Sequence, residues 1–323
     1  MYRLTDIGMD TMSNGSIITV TDLTKHYRDI KAVDGISFDV PRGVIFSCLG
    51  PNGAGKTTTV EMMEGLRTPT SGSIEILGAD VTRDYASIRH RVGVLPQAFE
   101  PFERLKAPEA IAYFGGLFDK KMTKEEVDKL LETVELGHRK GIIAKKLSGG
   151  EKRKLGIALA LVGEPELLFL DEPTTGLDAQ ARRNLWGLLE GLRDEGKTIF
   201  LTTHYLDEAE RLSDDVLVIH KGKEIARAPP KDLVEQHGGG RSILLRDYGE
   251  ESTEKVKAMG LTVEREGNDV KIILGMGDSV RKVISRLDES GIEFRDFTTV
   301  EPTLEDAFIN LVGGTIVEGE LKR

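Results

Sequence analysis

Two short stretches of the chain order their residues in a chemically demanding way. "GPNGAGKT", Gly50–Thr57, follows the apolar run "VIFSCL" and opens a helical pattern. In that context a glycine-rich loop wraps backbone N–H groups around phosphate oxygens, with the helix end adding partial positive charge. Lys56 would reach the outer phosphates and Thr57 would offer a hydroxyl to Mg²⁺. "LLFLDE", Leu167–Glu172, is an apolar strand pattern that finishes in two carboxylates. Adjacent acids at the tip of a buried strand serve a cation or a reacting water: Asp171 can hold Mg²⁺ through its water shell, and Glu172 can act as general base. Taken singly, each stretch has an ordinary reading, a chance Gly-rich turn or a solvated strand end. Together they point to binding and hydrolysis of a nucleoside triphosphate.

A third stretch, "LSGGEKRK", Leu147–Lys154, puts Ser148 three residues ahead of Glu151 and just before the apolar run "LGIALALV". This spacing lets a serine and a glutamate cap a helix start reciprocally. Each glycine in a first turn gives up on the order of 1 kcal/mol of helix propensity. Gly149 and Gly150 therefore imply that something approaches bare backbone at that helix end.

The elements that must position these residues alternate. Strand patterns occur at "SIITVTDL", "GISFDV", "VIFSCLG", "GSIEIL", "RVGVLPQ", "ELLFLDE", "KTIFLTTH" and "DDVLVIH". A helix starts near Gly55, and another, "AQARRNLWGLLEGLRDEG", lies between the sixth and seventh strands. Such alternation predicts an α/β fold with a mostly parallel sheet covered on both faces. Between about 99 and 163 the pattern turns helical, an inserted lobe. The Gly-rich "EQHGGGR" predicts a linker over 233–241. Beyond it we read a strand over 242–246, a helix over 252–259, strands over 261–265 and 270–274 with a turn at "GND", a helix over 279–290 and a strand over 292–298. That βαββαβ order is ferredoxin-like, a small C-terminal α+β domain, and a last helix, "TLEDAFINLV", follows. The organisation expected is a loose tail over 1–15, an ATPase domain over 16–232, the linker, and an accessory domain over 242–323.

Composition narrows the class. The 323 residues carry a net charge of -10, which argues against a general nucleic-acid binder, since phosphate neutralisation needs a Lys and Arg excess. The single cysteine, Cys48, leaves no intrachain disulfide and fits a small buried strand residue in a reducing compartment. The opening "MYRLTDIGMDTMSNGS" lacks the apolar block of a secretory signal. No run reaches the roughly 18 to 20 apolar residues of a spanning helix, so membrane work would pass through a partner.

"GPNGAGKTT", "LSGGE", "LDEPTTGLD" and "LTTH", in this order, resemble the nucleotide-binding subunit of an ATP-binding cassette (ABC) transporter over about residues 16–230. The resemblance implies a phosphate-loop NTPase core of the ABC type. It implies that Gly50, Pro51, Asn52, Gly53, Ala54, Gly55, Lys56, Thr57 and Thr58 cradle ATP and that Tyr27 stacks on adenine. Gln97 would touch Mg²⁺ and the attacking water, Thr57 and Asp171 would hold the cation, and Glu172 and His204 would serve hydrolysis. Ser148, Gly149 and Gly150 would cap the nucleotide of a second subunit, with Asp178 in the loop that crosses between protomers. One cradle and one cap per chain imply a homodimer or heterodimer. Partners would be a transmembrane permease and the second nucleotide-binding subunit, at the cytoplasmic face of the membrane. Phe99, Phe102, Phe114 and Phe118 could meet the permease or fill the core.

Three departures stand out: Val44, Ser47 and "RLKAPEA" replace the Glu, Gly and Leu-Thr common in the family. "EPTLEDAFINLVGG", Glu301–Gly314, resembles the exporter branch that includes daunorubicin-type drug pumps. The alternative is a soluble ABC-type ATPase in repair, translation or cofactor assembly, against which stand the lack of tandem cassettes and of a long heptad insertion. Intact Glu172 and His204 argue against a nucleotide sensor without turnover.

Overall fold

The computed structural model describes residues 15–246, 255–266, 269–275, 278–292 and 294–322. The chain divides into two units, Met1–Pro230 with Ile316–Lys322, and Lys231–Thr315.

The first unit is built on two sheets. Strands β1 (Ser16–Tyr27), β2 (Ile30–Pro41), β4 (Ser71–Ile76) and β5 (Ala79–Asp80) form an antiparallel sheet in the order β2-β1-β4-β5. The second sheet runs β10 (Lys223–Ala228), β9 (Asp215–His220), β3 (Ile45–Leu49), β8 (Thr198–Thr203), β7 (Leu167–Asp171), β6 (Val92–Leu95). Its neighbours are parallel except at the β9–β10 edge. Every residue of β3, β7 and β8 is buried, as expected of strands covered on both faces, whose sequences read as continuous apolar runs.

Phe38, Phe46 and Phe200 stack between the sheets, with ring centroids 5.6, 6.0 and 5.4 Å apart pairwise. Each such ring contributes about 1.5–3 kcal/mol by leaving water. Cys48 lies fully buried in β3, where burial pushes its thiol up to about 12. It packs as a small apolar residue, and Ser47 beside it is satisfied by the Ser213 hydroxyl at 2.5 Å.

Helices α1 (Lys56–Met63) and α2 (Val81–Ile88) precede the lobe, which holds α3 (Ala107–Leu117), α4 (Lys124–Thr133) and α5 (Gly149–Leu161). Thr123 with Glu126 and Ser148 with Glu151 cap α4 and α5 reciprocally. Apolar positions of α3, α4 and α5 then meet in one core with α6 (Ala179–Asp194) and the sheet. Helix α7 (Leu206–Leu212) follows β8. The strand pattern "GISFDV" starts too late: β2 begins at Ile30, where it continues the hairpin from β1 through a turn with Arg28 at φ 53°.

In the second unit, α8 (Pro230–His237) occupies most of the expected linker. Four antiparallel strands follow, β11 (Ser242–Arg246), β12 (Thr262–Glu266), β13 (Asp269–Ile273) and β14 (Asp296–Val300), in the order β12-β13-β11-β14. A ferredoxin-like βαββαβ sheet has this order. Residues 255–258 are helical, α9 spans Val280–Glu289 and α10 spans Leu304–Val312. The start of the helix expected over 252–259, most of the "GND" turn and nearly all of the expected 1–15 tail lie outside the described residues. The stretch 316–322, expected in the accessory domain, instead groups with the first unit.

Glu64 closes α1 and is buried. Burial, then the charges of Asp171 and Glu61, push its pKa up to about 8. Its folded value lies above the ordinary carboxylate range, so the native state holds a proton that the unfolded chain has released. Stability is therefore fullest below the unfolded pKa and is lost as pH rises toward about 8. Glu64→Gln should remove this loss: its unfolding midpoint should exceed that of the parent by several degrees at pH 8 and by much less at pH 5, since roughly 2–4 °C corresponds to each kcal/mol in a unit of this size. Calorimetric or circular-dichroism melts at the two pH values measure the difference.

Candidate functional site

The cradle is fixed by backbone contacts that only glycine permits. A Cβ on Gly50 would lie 2.3 Å from the Ile219 carbonyl oxygen, and one on Gly55 2.4 Å from that of Ala32. Gly55 also sits at φ 110°, where side chains are strained. The loop is tied to the β9–β10 turn by a hydrogen bond from the Gly222 N–H to the Ala54 carbonyl, and the turn to β2 by one from the Asp34 N–H to the Gly222 carbonyl, each 2.8 Å. Lys56 opens α1 and curls its ammonium onto the Gly50 and Pro51 carbonyls at 2.8 and 3.2 Å. A cavity of about 720 Å³ opens over the loop. Asn52, Gly53, Lys56, Thr57 and Thr58 line it, together with Gln97, Glu172 and Tyr27. Tyr27, 38 % exposed, ends β1 between the Lys25 ammonium, 5.2 Å from its ring centre, and the Arg67 guanidinium, 5.8 Å away.

Glu172 follows β7 in a left-handed conformation, φ 45°, which turns its side chain back over the strand ends. The buried carboxylate meets the Lys56 ammonium at 3.4 Å and accepts hydrogen bonds from the Gln97 amide at 3.0 Å and the Thr175 hydroxyl at 3.1 Å. His204 Nδ1 lies 3.2 Å from the same carboxylate, but outside hydrogen-bonding alignment. Burial pushes the Glu172 pKa up, but His204, Lys56 and Thr175 together outweigh it and bring the group down to about 2. Asp171 is buried, accepts a hydrogen bond from the Thr202 hydroxyl at 2.5 Å, and has its pKa raised by burial. Of the two adjacent acids, one is held ionised by its charged partners and the other is pushed by burial toward its neutral form.

A family model described as ABC transporter matches residues 33–175. The chain is 36 % identical to a daunorubicin resistance ATP-binding protein of Streptomyces coeruleorubidus over 92 % of this chain and 96 % of that one. The chain belongs to the ABC transporter family. A Nod factor export ATP-binding protein of Cupriavidus metallidurans is 41 % identical over 73 % of this chain and 78 % of its own. Among solved structures, an ABC transporter subunit from Clostridium perfringens, part of a cbiONQ complex, superposes with TM-score 0.63 at 30 % identity, covering 69 % of this chain and 92 % of that one. This ABC protein is an ATP-binding and ATP-hydrolysing subunit.

Not every residue singled out in the sequence reaches the cradle. Ser148, Gly150 and Glu151 line a different cavity, of about 380 Å³, with His138, Lys154 and Asn184. Ser148 caps α5, accepting from the Glu151 N–H at 3.3 Å while its own N–H donates to the Glu151 carboxylate at 2.9 Å. A Cβ on Gly150 would lie 3.0 Å from that of Ala181, so one of the two glycines has an intrachain packing reason as well. Asp178 caps α6 through the Gln180 and Ala181 N–H groups at 2.9 and 2.8 Å.

The structure adds residues that no motif signalled. Ile30, Lys31, Ala32 and Lys221 line the cradle cavity, brought there by the β1–β2 and β9–β10 turns. Arg153, on α5, donates to the Pro96 carbonyl at 3.1 Å and the Gln97 carbonyl at 2.8 Å. It thereby fixes the backbone of the loop whose amide holds Glu172. An arginine three residues past a glycine pair was visible in the sequence, but its partners were not. Arg153→Met should lower kcat of ATP hydrolysis about tenfold with KM changed less than threefold, and Arg153→Lys should recover part of the loss. Steady-state phosphate release measures both.

Proposed function

We propose that this chain hydrolyses Mg·ATP in a site completed by a second nucleotide-binding subunit, and that closure of the pair drives a separate transmembrane exporter. The observation that carries this reading is the separation of cap from cradle: in one chain Ser148 and Gly150 border one cavity and the Lys56 loop borders another. Two chains set head to tail would bring each cap onto its partner's phosphate. A homodimer and a heterodimer with a related chain both satisfy the geometry.

Within that pair the Gly50–Thr58 loop holds the phosphates and Tyr27 stacks on adenine. The donor set fits Mg²⁺ arriving with its nucleotide. Among the described residues there is no cluster of three or more metal-binding side chains, and Asp171 is a buried acid whose pKa burial raises, so a cation shared with phosphates suits it better than a dedicated protein cage. Thr57, Asp171 and the Gln97 amide oxygen would hold the ion, which supplies charge neutralisation on the phosphates. Phosphate oxygens compete for Lys56 and draw it away from Glu172. The carboxylate then regains basicity and takes the proton of a water attacking the γ-phosphorus as the bond to the ADP oxygen breaks. His204 contacts the γ-phosphate, and Asp178 lies where the two protomers cross.

The permease would dock beside the lobe. A cavity of about 630 Å³ runs between α2, β6 and α3, lined by Tyr85, Val94, Phe114, Leu117 and Phe118 among others. Phe99 and Phe114 pack against the core, whereas Leu117 is 62 % and Phe118 40 % exposed. Core packing accounts for the first two and docking suits the last. No helix among the described residues is long and apolar enough to cross a membrane, so a partner would hold the chain at the cytoplasmic face. Relatives named for daunorubicin resistance and Nod factor export favour an exporter.

Glu172→Gln should retain ATP binding, lose at least a hundredfold in turnover, and migrate at twice the parent mass with ATP and Mg²⁺ in light-scattering chromatography. Adding Ser148→Arg should return it to monomer, whereas Glu172→Gln alone staying single in ATP and Mg²⁺ overturns the paired site. Independently, Leu117→Asp and Phe118→Asp should leave ATPase activity of the purified chain within twofold while abolishing its recovery with the membrane fraction of its own cells.

A further inference from the structure

The hairpin of residues 315–322 is grouped, from Ile316 to Lys322, with the first unit. Strands β15 (Thr315–Val317) and β16 (Glu320–Lys322) pair through a two-residue turn, Glu318 at φ 53° and Gly319 at φ 82°. Both central residues are left-handed, the tight turn whose twist matches paired strands and which favours glycine second. The turn sits on the phosphate loop: the Asn52 N–H donates to the Gly319 carbonyl at 2.5 Å. Gly319 is buried there, and a Cβ on it would lie 2.4 Å from the Asn52 amide.

Asn52 lines the cradle cavity. A backbone carbonyl therefore occupies one of the loop's N–H donors, the kind of group that a phosphate-binding loop turns toward phosphate oxygens. Glu318 and Glu320 flank the contact, both exposed. One residue from Gly319 on either side, their carboxylates fall within about 10 Å of the loop, close enough for their charge to be felt through salt. An acceptor and two negative charges are what a phosphate brings to the same place.

We propose that this hairpin is an intrachain competitor of nucleotide phosphate, an acidic turn that must leave Asn52 before the cradle closes fully on ATP. The proposal rests on the ATP site described above. It gives the chain a brake that any partner gripping 315–322 could release.

Gly319→Val tests it in the full chain. A β-branched residue is strained at this φ and its side chain collides with Asn52, so the turn should lift while no cradle residue changes. The second variant ends the chain at Gly314. Binding of a non-hydrolysable ATP analogue with Mg²⁺, measured by calorimetry, should tighten about fivefold in both, the value of one hydrogen bond no longer in competition, and basal ATP turnover at sub-saturating ATP should rise with it. Circular dichroism confirms that both variants are folded. Equal affinity in the parent and both variants, or weaker binding in either, overturns the brake. Lys56→Ala in each background separates the two claims: if it fails to weaken binding, the ATP site itself is misplaced, whereas lost binding with no hairpin effect discards the hairpin alone.

Discussion

The Glu172 carboxylate is the point on which the site's geometry depends. A buried anion is costly unless opposite charge and hydrogen bonds compensate it, and here the compensation comes from several parts of the chain. Lys56 arrives from the start of α1, Gln97 from the loop after β6, Thr175 from the turn after β7 and His204 from the end of β8. Parallel strands place these groups at one end of the sheet, the crevice outside the strand carboxyl ends where open α/β sheets bind ligands. Removing any of them changes the charge balance felt by the rest. The pair Lys56–Glu172, both nearly buried, would also link binding to chemistry under the proposed function, because a cation drawn onto phosphate would leave the carboxylate more basic.

Asp171 and Glu172 show how neighbours in sequence are driven apart in behaviour. Asp171 continues β7 and meets one hydroxyl, so burial dominates and favours its neutral form. Glu172 leaves the strand through a left-handed turn and meets charges, so it stays ionised. The difference is one of backbone direction rather than of residue type. A cation beside Asp171 would reverse its preference, which is why such an acid suits an ion carried by the substrate.

Much of this was legible because function had written itself as local pattern. Gly50–Thr57, Asp171–Glu172 and Ser148–Glu151 each combine a turn chemistry with an element boundary, and the buried strands β3, β7 and β8 are continuous apolar runs. What stayed hidden depends on long-range contact. Lys221, in the β9–β10 turn, and Lys31, near the start of β2, are ordinary exposed lysines until the fold brings both to the cavity over the loop. The reach of Arg153 to the Pro96 and Gln97 carbonyls spans 57 and 56 residues. Strand β10, with no fully buried residue, lacks the apolar run that revealed its neighbours. The second half of helix α8 lies where the sequence predicts linker, because Gly238, Gly239 and Gly240 follow the helix directly rather than interrupt it. The stretch 315–322 contains a Glu-Gly turn signal, but nothing in it announces a contact with Asn52.

The site is also unequal in its attachments, and this bears on how ATP could do work. The cradle is held by a short backbone hydrogen bond to the β9–β10 turn, itself tied to β2 by another, with glycines that leave no slack. The Gln97 loop is instead anchored by side chains, Arg153 on the lobe and Glu172 on the strand. Backbone ladders resist displacement collectively, whereas a guanidinium on two carbonyls yields or follows as one unit. A shift of α5 would therefore pass through Arg153 to Gln97 and reach the Glu172 carboxylate, while the cradle keeps its place. The helix that carries Ser148 at its start carries Arg153 one turn later, so the end that would meet a partner's nucleotide and the contact that steadies the Gln97 loop beside Glu172 belong to a single rigid element. Coupling between two sites then needs only one body to move.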